Sequence, residues 1–455
     1  MAPESRVLIY DFVMTLSPTI DVVVADLAMM NLSAKQRTEE DWKELLTSSG
    51  FEILRIWKDP RGVQDGVIEC KRRTIDLFTP DDFYLSETVG LYEALDAGVT
   101  SILDHSHGIR SSEISSALFD AYLGSGARIW FCYGLDDFDG SFPIADRVAH
   151  FQELARDLRL VGSSVELGVA FDSWNMADEE NLQSAITFIK NGNTSVLTTH
   201  WLDGVLNVRH NPSLMFSLGL LNESFPIVFS HGSFITPPEH ELFKQYNHFI
   251  SITPESEMHY GHTDTDSDFV MDHASLGVDT HSTFSGDIVG QARIWLQSVR
   301  HRLYRKVLDR WLIPSTNPMS VKQAFHLAPR GGAQALRRDD LGVIRVGAKA
   351  DVVVFDGTST NMVGWRDPVA AIILHSHVSD VVHVMVDGKL VKRDGKLVAE
   401  DLANVTQAFA QSAKRIQDQA VEAEFPPAEG ASAFGIYEYE PTDIADALRG
   451  NGTGY

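Results

Sequence analysis

From Thr74 onward the chain alternates short apolar runs of strand character with longer amphipathic stretches. The apolar runs fall at 100–107, 127–134, 165–172, 195–201, 225–232, 248–255 and 274–281. Between them lie segments such as SETVGLYEALDAG, DRVAHFQELARDLRLVG and DIVGQARIWLQSVRHRLYRKVL, which read as helices. This alternation predicts parallel βα units. Seven strands are most of a (β/α)8 TIM-like barrel, so the fold class is α/β with the barrel incomplete at strand 1.

The flanks differ in pattern. Residues 1–73 predict a small α/β fragment: a strand at 7–14, a helix over 38–51 opened by Thr38, and two paired strands in FEILRIWKDP and GVIECKRR. The barrel spans 74–340. Residues 341–400 predict a small β-sheet domain, with IRVGAKADVVVFDG and VSDVVHVMVDGKLVKRDGKLV as hairpins turning at Asp-Gly pairs. Residues 401–455 predict one helix followed by a loose tail.

Composition narrows the partners. The net charge of −25 and pI of about 5.0 argue against nucleic acid and anionic membranes and leave a small-molecule substrate. The N-terminus has no basic start and no apolar signal core, and the two cysteines, Cys70 and Cys132, form no metal or redox motif. Both features fit a reducing, cytoplasmic setting. Self-association into a homo-oligomer stays open.

Ionisable residues gather where the apolar runs end. Asp104, His105 and His107 close the first run, His200 the fourth, His231 the fifth and Asp279 the seventh, while Glu255 and Glu257 follow the sixth. In a barrel this is the end at which active sites form. Burying so many charges unpaired would cost several kcal/mol each, so a shared purpose is expected. A divalent metal such as zinc takes imidazole and carboxylate ligands and makes water acidic near neutral pH. His200 and Asp279 suit the ligand role, and His231 suits substrate binding or proton transfer. The bland alternative is a set of hydrogen-bonded strand ends on a scaffold without chemistry. Cys132 reads as a core residue, and His375 and His377 as structural.

As a set these segments resemble the amidohydrolase superfamily, in its branch of chlorohydrolases and nucleobase or triazine deaminases. YEALDAGVTSILDHSH is similar to that branch's second strand and the helix before it, SITPESEMHYGH to its seventh strand and LGVDTHSTFSGDI to its eighth. GVIRVGAKADVVVFD and HVMVDGKLVKRDGKLV resemble its C-terminal sheet. The resemblance implies a zinc-type cofactor, with His200 as the fifth-strand ligand, Asp279 as the eighth-strand ligand and His231 as the sixth-strand histidine. It places Asp203 where many relatives carry a proton-handling Glu. Glu257 suits contact with a substrate amino group or, more plainly, the capping of a loop.

The family's His-x-His pair on strand one is missing, because no histidine precedes His105. His105 and His107, spaced to face one side of a strand, stand as substitute ligands or as substrate contacts. A strand from 7–14 or 65–72 is a candidate for the missing place. The segment 21–69 instead resembles the C-terminal end of a fungal-type class I O-methyltransferase, without the Gly-rich loop that would hold a methyl donor. The expected activity is metal-dependent hydrolysis of C–N bonds in a small cyclic or aromatic molecule, in secondary metabolism of fungal type. Catalysis would fall to His231, Asp203 and Glu257. The alternatives are a degenerate barrel that has lost its metal and, more remotely, an O-methyltransferase fragment.

Overall fold

The computed structural model describes residues 78–137, 141–192, 194–262, 268–421 and 437–442, Trp42, and the backbone of 6–14, 37–38, 51–58 and 65–72. The N-terminal strands β1 (Arg6–Met14), β2 (Arg37–Thr38), β3 (Phe51–Lys58) and β4 (Asp65–Arg72) form their own sheet in the order β2-β1-β4-β3. β1 and β4 therefore each have neighbours on both edges, and neither supplies the missing barrel strand. The helix expected over 38–51 lies outside the described residues except for Thr38 in β2, Trp42, and Phe51 in β3.

The seven runs read from the sequence are seven strands: β5 (Ser101–Ser106), β6 (Arg128–Gly134), β7 (Val165–Ala170), β8 (Leu197–Leu202), β9 (Ile227–Ser233), β10 (Phe249–Ile252) and β11 (Ala274–Leu276). They pair in parallel in chain order, with β5 and β11 at the two edges of the sheet among the described residues. The sheet is a curled part-barrel of the TIM type, its strands linked by helices that include Ser112–Ser125, Ile144–Leu154, Glu179–Asn191 and Pro237–Gln245, with Ile288–Leu308 following β11. Local chemistry starts these helices where the sequence demands: Ser111, Asp178 and Asp287 each accept a backbone N–H of the first turn. Thr79 and Asp82 form a reciprocal capping box on Pro80–Asp96.

The pleat then sorts side chains to two faces. Ile129, Phe131, Tyr133, Leu197, Ile227 and Phe229 point outward into the main core. Trp130, Cys132, Ala170, Val196, Val228 and Phe249 form a second apolar cluster with Ala333, Ala335 and Leu341. This second cluster is a floor inside the curl. The register aligns Cys132 of β6 with His105 of β5 on one side and Gly168 of β7 on the other. His105 therefore faces the interior, level with the floor's upper edge. Cys132 is fully buried, and its apolar surroundings push the thiol well above its ordinary pKa.

Three further β-strands and a bulged partner make the C-terminal sheet: β12 (Val352–Phe355), β13 (Val381–Val386), β14 (Lys389–Arg393) and β15 (Lys396–Leu397), all antiparallel neighbours. Asp387-Gly388 and Asp394-Gly395 both have positive φ, the geometry of the tight turns that match strand twist. The first expected hairpin, over 344–357, does not form. β12 takes β13 as its antiparallel partner, and Ile344 and Val346 stay outside any ladder and exposed. Arg128, the first residue of β6, grips this sheet through Nε to Asp351 Oδ2 at 2.8 Å and Nη2 to Asp351 Oδ1 at 2.9 Å. Buried Lys392 reaches back to the Asp96 carbonyl at 2.6 Å. The small sheet is thus clamped to the end of the barrel opposite the strand ends that carry polar residues. The helix Leu402–Val421 lies on Pro80–Asp96, where Ser412 and Arg415 bond Asp82. No described helix is long and apolar enough to cross a membrane.

Gly168 has no room for a side chain, because a Cβ there would stand 2.7 Å from Val196 Cγ1 and 2.8 Å from Cys132 Sγ. Gly168→Ala is expected to destabilise the protein by about 1–3 kcal/mol in urea unfolding. A neutral effect would show that the floor is not close-packed.

Candidate metal centre

A polar layer rests directly on that apolar floor. β5 contributes His105, β8 contributes His200 two residues beyond the inward-facing Thr198, and Asp172 follows two residues after β7 ends. Asp172 Oδ2 lies 2.6 Å from His200 Nδ1 and 3.1 Å from His105 Nε2. The rings of His105 and His200 are 4.4 Å apart, centre to centre. The other oxygen of Asp172 accepts the His200 backbone N–H at 2.7 Å and the Thr199 hydroxyl at 2.9 Å. Trp174 Nε1 donates to Thr199 Oγ1 at 3.0 Å, and buried His210 Nδ1 stands 3.6 Å from Asp172 Oδ1.

Electrostatics follow from this packing. Burial alone would push the Asp172 carboxyl up. The neighbouring imidazoles of His105 and His200, and the hydrogen bond from His200 Nδ1, outweigh burial and hold it well below the usual carboxylate range. Burial lowers His200, but Asp172, with Asp279 and Asp136 behind it, raises it above its ordinary value. Burial wins at His105, whose pKa is lowered despite Asp172. Asp136, one strand earlier, accepts the backbone N–H groups of Asp172 at 2.8 Å and Ser173 at 2.7 Å, so it fixes the direction in which Asp172 leaves its strand. Burial and then the Asp172 charge push Asp136 up to about 6.

The strand ends that follow β8 in the sheet carry His231, Glu257 and Asp279. The His231 ring is 5.6 Å from that of His200. Its Nδ1 meets Thr253 Oγ1 at 2.9 Å and lies 3.7 Å from Glu257 Oε1, while Glu257 accepts the Thr253 backbone N–H at 2.9 Å. Asp279 accepts the Ser256 hydroxyl, and its charge is felt at both His200 and His262. Burial, then the neighbouring His231, lowers His262 to about 4. His231 and Asp279 both have positive φ, at 73° and 70°. Non-glycine residues rarely adopt that conformation, and such strain gathers at functional sites.

The structure therefore brings together His105, His200, His231, Glu257 and, through its field on His200, Asp279. His107 stands beside them, its ring 5.8 Å from His200, with Nδ1 3.0 Å from the His105 carbonyl and the side chain largely exposed. Asp203 points elsewhere: its carboxylate accepts Trp201 Nε1 at 2.9 Å and Asn211 Nδ2 at 3.2 Å. Asp104 turns to the outer face, bonded to Ser106 and Tyr122 near Glu87, whose carboxyl burial pushes well up. Glu255 is tied to Gln291. Asp172, Asp136 and His210 were not singled out from sequence. Asp172 ends the run VELGVAFD and obeys the same strand-end rule that found His200, so the signal was present.

Among the described residues, one group has the spacing to hold a metal: His105, Asp172 and His200, whose ligand atoms all lie within 4.8 Å of one another. Two imidazoles and a carboxylate are a donor set that zinc accepts. The buried Nε2 of His105 has no hydrogen-bond partner, which is the condition of a ligand atom whose cation would fill the space. The residues present fit a divalent ion.

Comparison with known proteins bears on the fold. Residues 175–391 match the sequence model of the amidohydrolase family. A 5-methylthioadenosine/S-adenosylhomocysteine deaminase of Acetivibrio thermocellus is 22% identical over 382 residues, covering 81% of this chain and 84% of that protein. An adenosine deaminase of Xanthomonas campestris, solved with bound zinc, superposes with a TM-score of 0.62 at 17% identity, covering 75% of this chain and 76% of its own. The atrazine chlorohydrolase TrzN of Arthrobacter aurescens TC1, complexed with zinc, gives 0.60 at 19% identity over 74% and 78%. Methyltransferase cfoD of Aspergillus candidus matches at 36% identity over 70 residues only, 15% of this chain and 17% of that protein.

The strained backbone at Asp279 yields a test. Asn tolerates positive φ far better than a β-branched residue. Asp279→Asn is expected to unfold within about 1 kcal/mol of wild type, whereas Asp279→Val loses about 1–2 kcal/mol more through backbone strain alone. Equal stabilities in chemical denaturation would mean that the backbone there is not held as described.

Proposed function

We propose, from the premise that residues 175–391 are of the amidohydrolase superfamily, that this protein is a metal-dependent hydrolase acting on a C–N bond of a small cyclic or aromatic molecule. The observation that carries the reading is the gathering of His105, Asp172 and His200 at metal-binding spacing on the strand ends. His231 of the adjacent strand lies beside His200, with Glu257 next to it and the charge of Asp279 acting on His200.

A divalent ion held at His200 with its neighbours supplies Lewis acidity, which makes water a usable nucleophile near neutral pH. The chain's own residues do the rest. His231 has Nδ1 engaged by Thr253, so Nε2 is the atom left to meet a substrate and steady the charge that builds on it. Glu257, in contact with the same imidazole, is placed to take up and return the proton through His231. Asp279, held by Ser256, accepts a proton from the attacking water and returns it to the departing amino group, which leaves as ammonia. Asp203 is committed to Trp201 and Asn211 and shapes the loop that follows β8. The relatives named as deaminases and as a chlorohydrolase support attack at an electron-poor ring carbon, with an amino group as the leaving group we favour. A setting in fungal-type secondary metabolism is supported by the short methyltransferase match.

The open sheet favours a second reading. β5 and β11 are edges, and no histidine precedes His105, so the scaffold suits a barrel that has lost hydrolysis. Ammonia release from adenosine and methylthioadenosine, together with metal analysis of the purified protein, separates the two. The hydrolase holds about one zinc-like ion per chain, and His200→Ala removes the ion and lowers ammonia release by about a hundredfold or more. Full activity in metal-free protein, or no metal and no turnover, would discard the proposal.

A further inference from the structure

We propose that His105 and Asp172 are themselves metal ligands, forming with His200 a set carried by β5, β8 and the segment after β7 in place of a first-strand His-x-His pair, since no histidine precedes His105 in the sequence. The inference rests on the metal-dependent reading above and names the atoms that make it possible. His105 is nine-tenths buried, and its two ring nitrogens have different fates. Nδ1 meets Thr198 Oγ1 at 3.3 Å, a contact that fixes the ring. Nε2 lies 3.1 Å from Asp172 Oδ2, but its in-plane direction misses that oxygen and it makes no hydrogen bond. A buried ring nitrogen left without a partner beside a carboxylate is the condition of a ligand atom whose cation would lie next to both. His200 Nδ1 is hydrogen-bonded to the same oxygen at 2.6 Å. One ligand atom from each of the three residues lies within 4.8 Å of those of the other two.

The support behind each ligand is that of a built site. Thr198 orients His105, while Asp136, through the backbone, and Thr199, by its hydroxyl, orient Asp172. Two imidazoles and one carboxylate leave a fourth position open, the pattern of zinc sites that do chemistry. Asp172 could instead act only as a carboxylate that orients His200, a role that leaves it off the metal.

Cobalt substitution separates ligand from orienter. His105→Cys and Asp172→Cys are each loaded with Co(II), and the wild-type spectrum is subtracted. A ligand position yields a new sulfur-to-cobalt charge-transfer band in the near ultraviolet, whereas a position off the metal yields none. Asp172→Asn, with its fold checked by circular dichroism, is titrated with zinc against a chelator. Loss of affinity beyond the ten- to hundredfold typical of a lost orienting carboxylate supports direct ligation. Wild-type protein that binds neither zinc nor cobalt overturns both this inference and the metal-dependent reading. Wild-type binding with bandless cysteine variants and near-normal zinc affinity in Asp172→Asn overturns this inference alone.

Discussion

The site depends on one buried carboxylate being kept ionised between two imidazoles. Taking the Asp172 charge out of water costs several kcal/mol, so every partner it has must be in place. The backbone and ring of His200 and the hydroxyl of Thr199 supply those partners, and Asp136 fixes the chain that carries Asp172. Because the arrangement is crowded with donors and acceptors, small shifts in strand register would break it. A slip of one residue in β5 would turn His105 to the helix side and bring Asp104 inward.

The rest of the molecule holds that register. The apolar floor of Trp130, Cys132, Ala170, Val228 and Phe249 closes the curl beneath the polar layer, with Gly168 giving β7 close approach to its neighbours. At the far end Arg128 and Lys392 anchor the C-terminal sheet, so stabilising contacts and chemical groups occupy opposite ends of the strands. Farther along the same strand ends, His231 and Asp279 take positive φ, a cost the fold sustains at the site.

Much of this was legible in the chain because strand ends in a parallel sheet are marked by where apolar runs stop. His105, His200, His231 and Asp279 announced themselves that way, and the Asp-Gly turns of 387–388 and 394–395 carried their own geometry. What could not be read was which strand end faces which. Asp172 looks like any acid closing an apolar run until the curl of the sheet sets it against His105 and His200. Likewise Asp203 looked like a proton carrier by position, whereas in the fold it bonds Trp201 and Asn211. The unformed hairpin at 344–357 has the same origin: alternation predicts a strand, but the partner is decided by contacts distant in sequence, and β13 claimed β12.

Crystals grown with zinc and measured on both sides of the zinc absorption edge would test the central claim most directly. The account predicts one dominant anomalous peak, about 2.0–2.1 Å from a nitrogen of each of His105 and His200 and at similar range from an Asp172 oxygen. A peak bound by other residues, or none while those three side chains keep their present contacts, would contradict it.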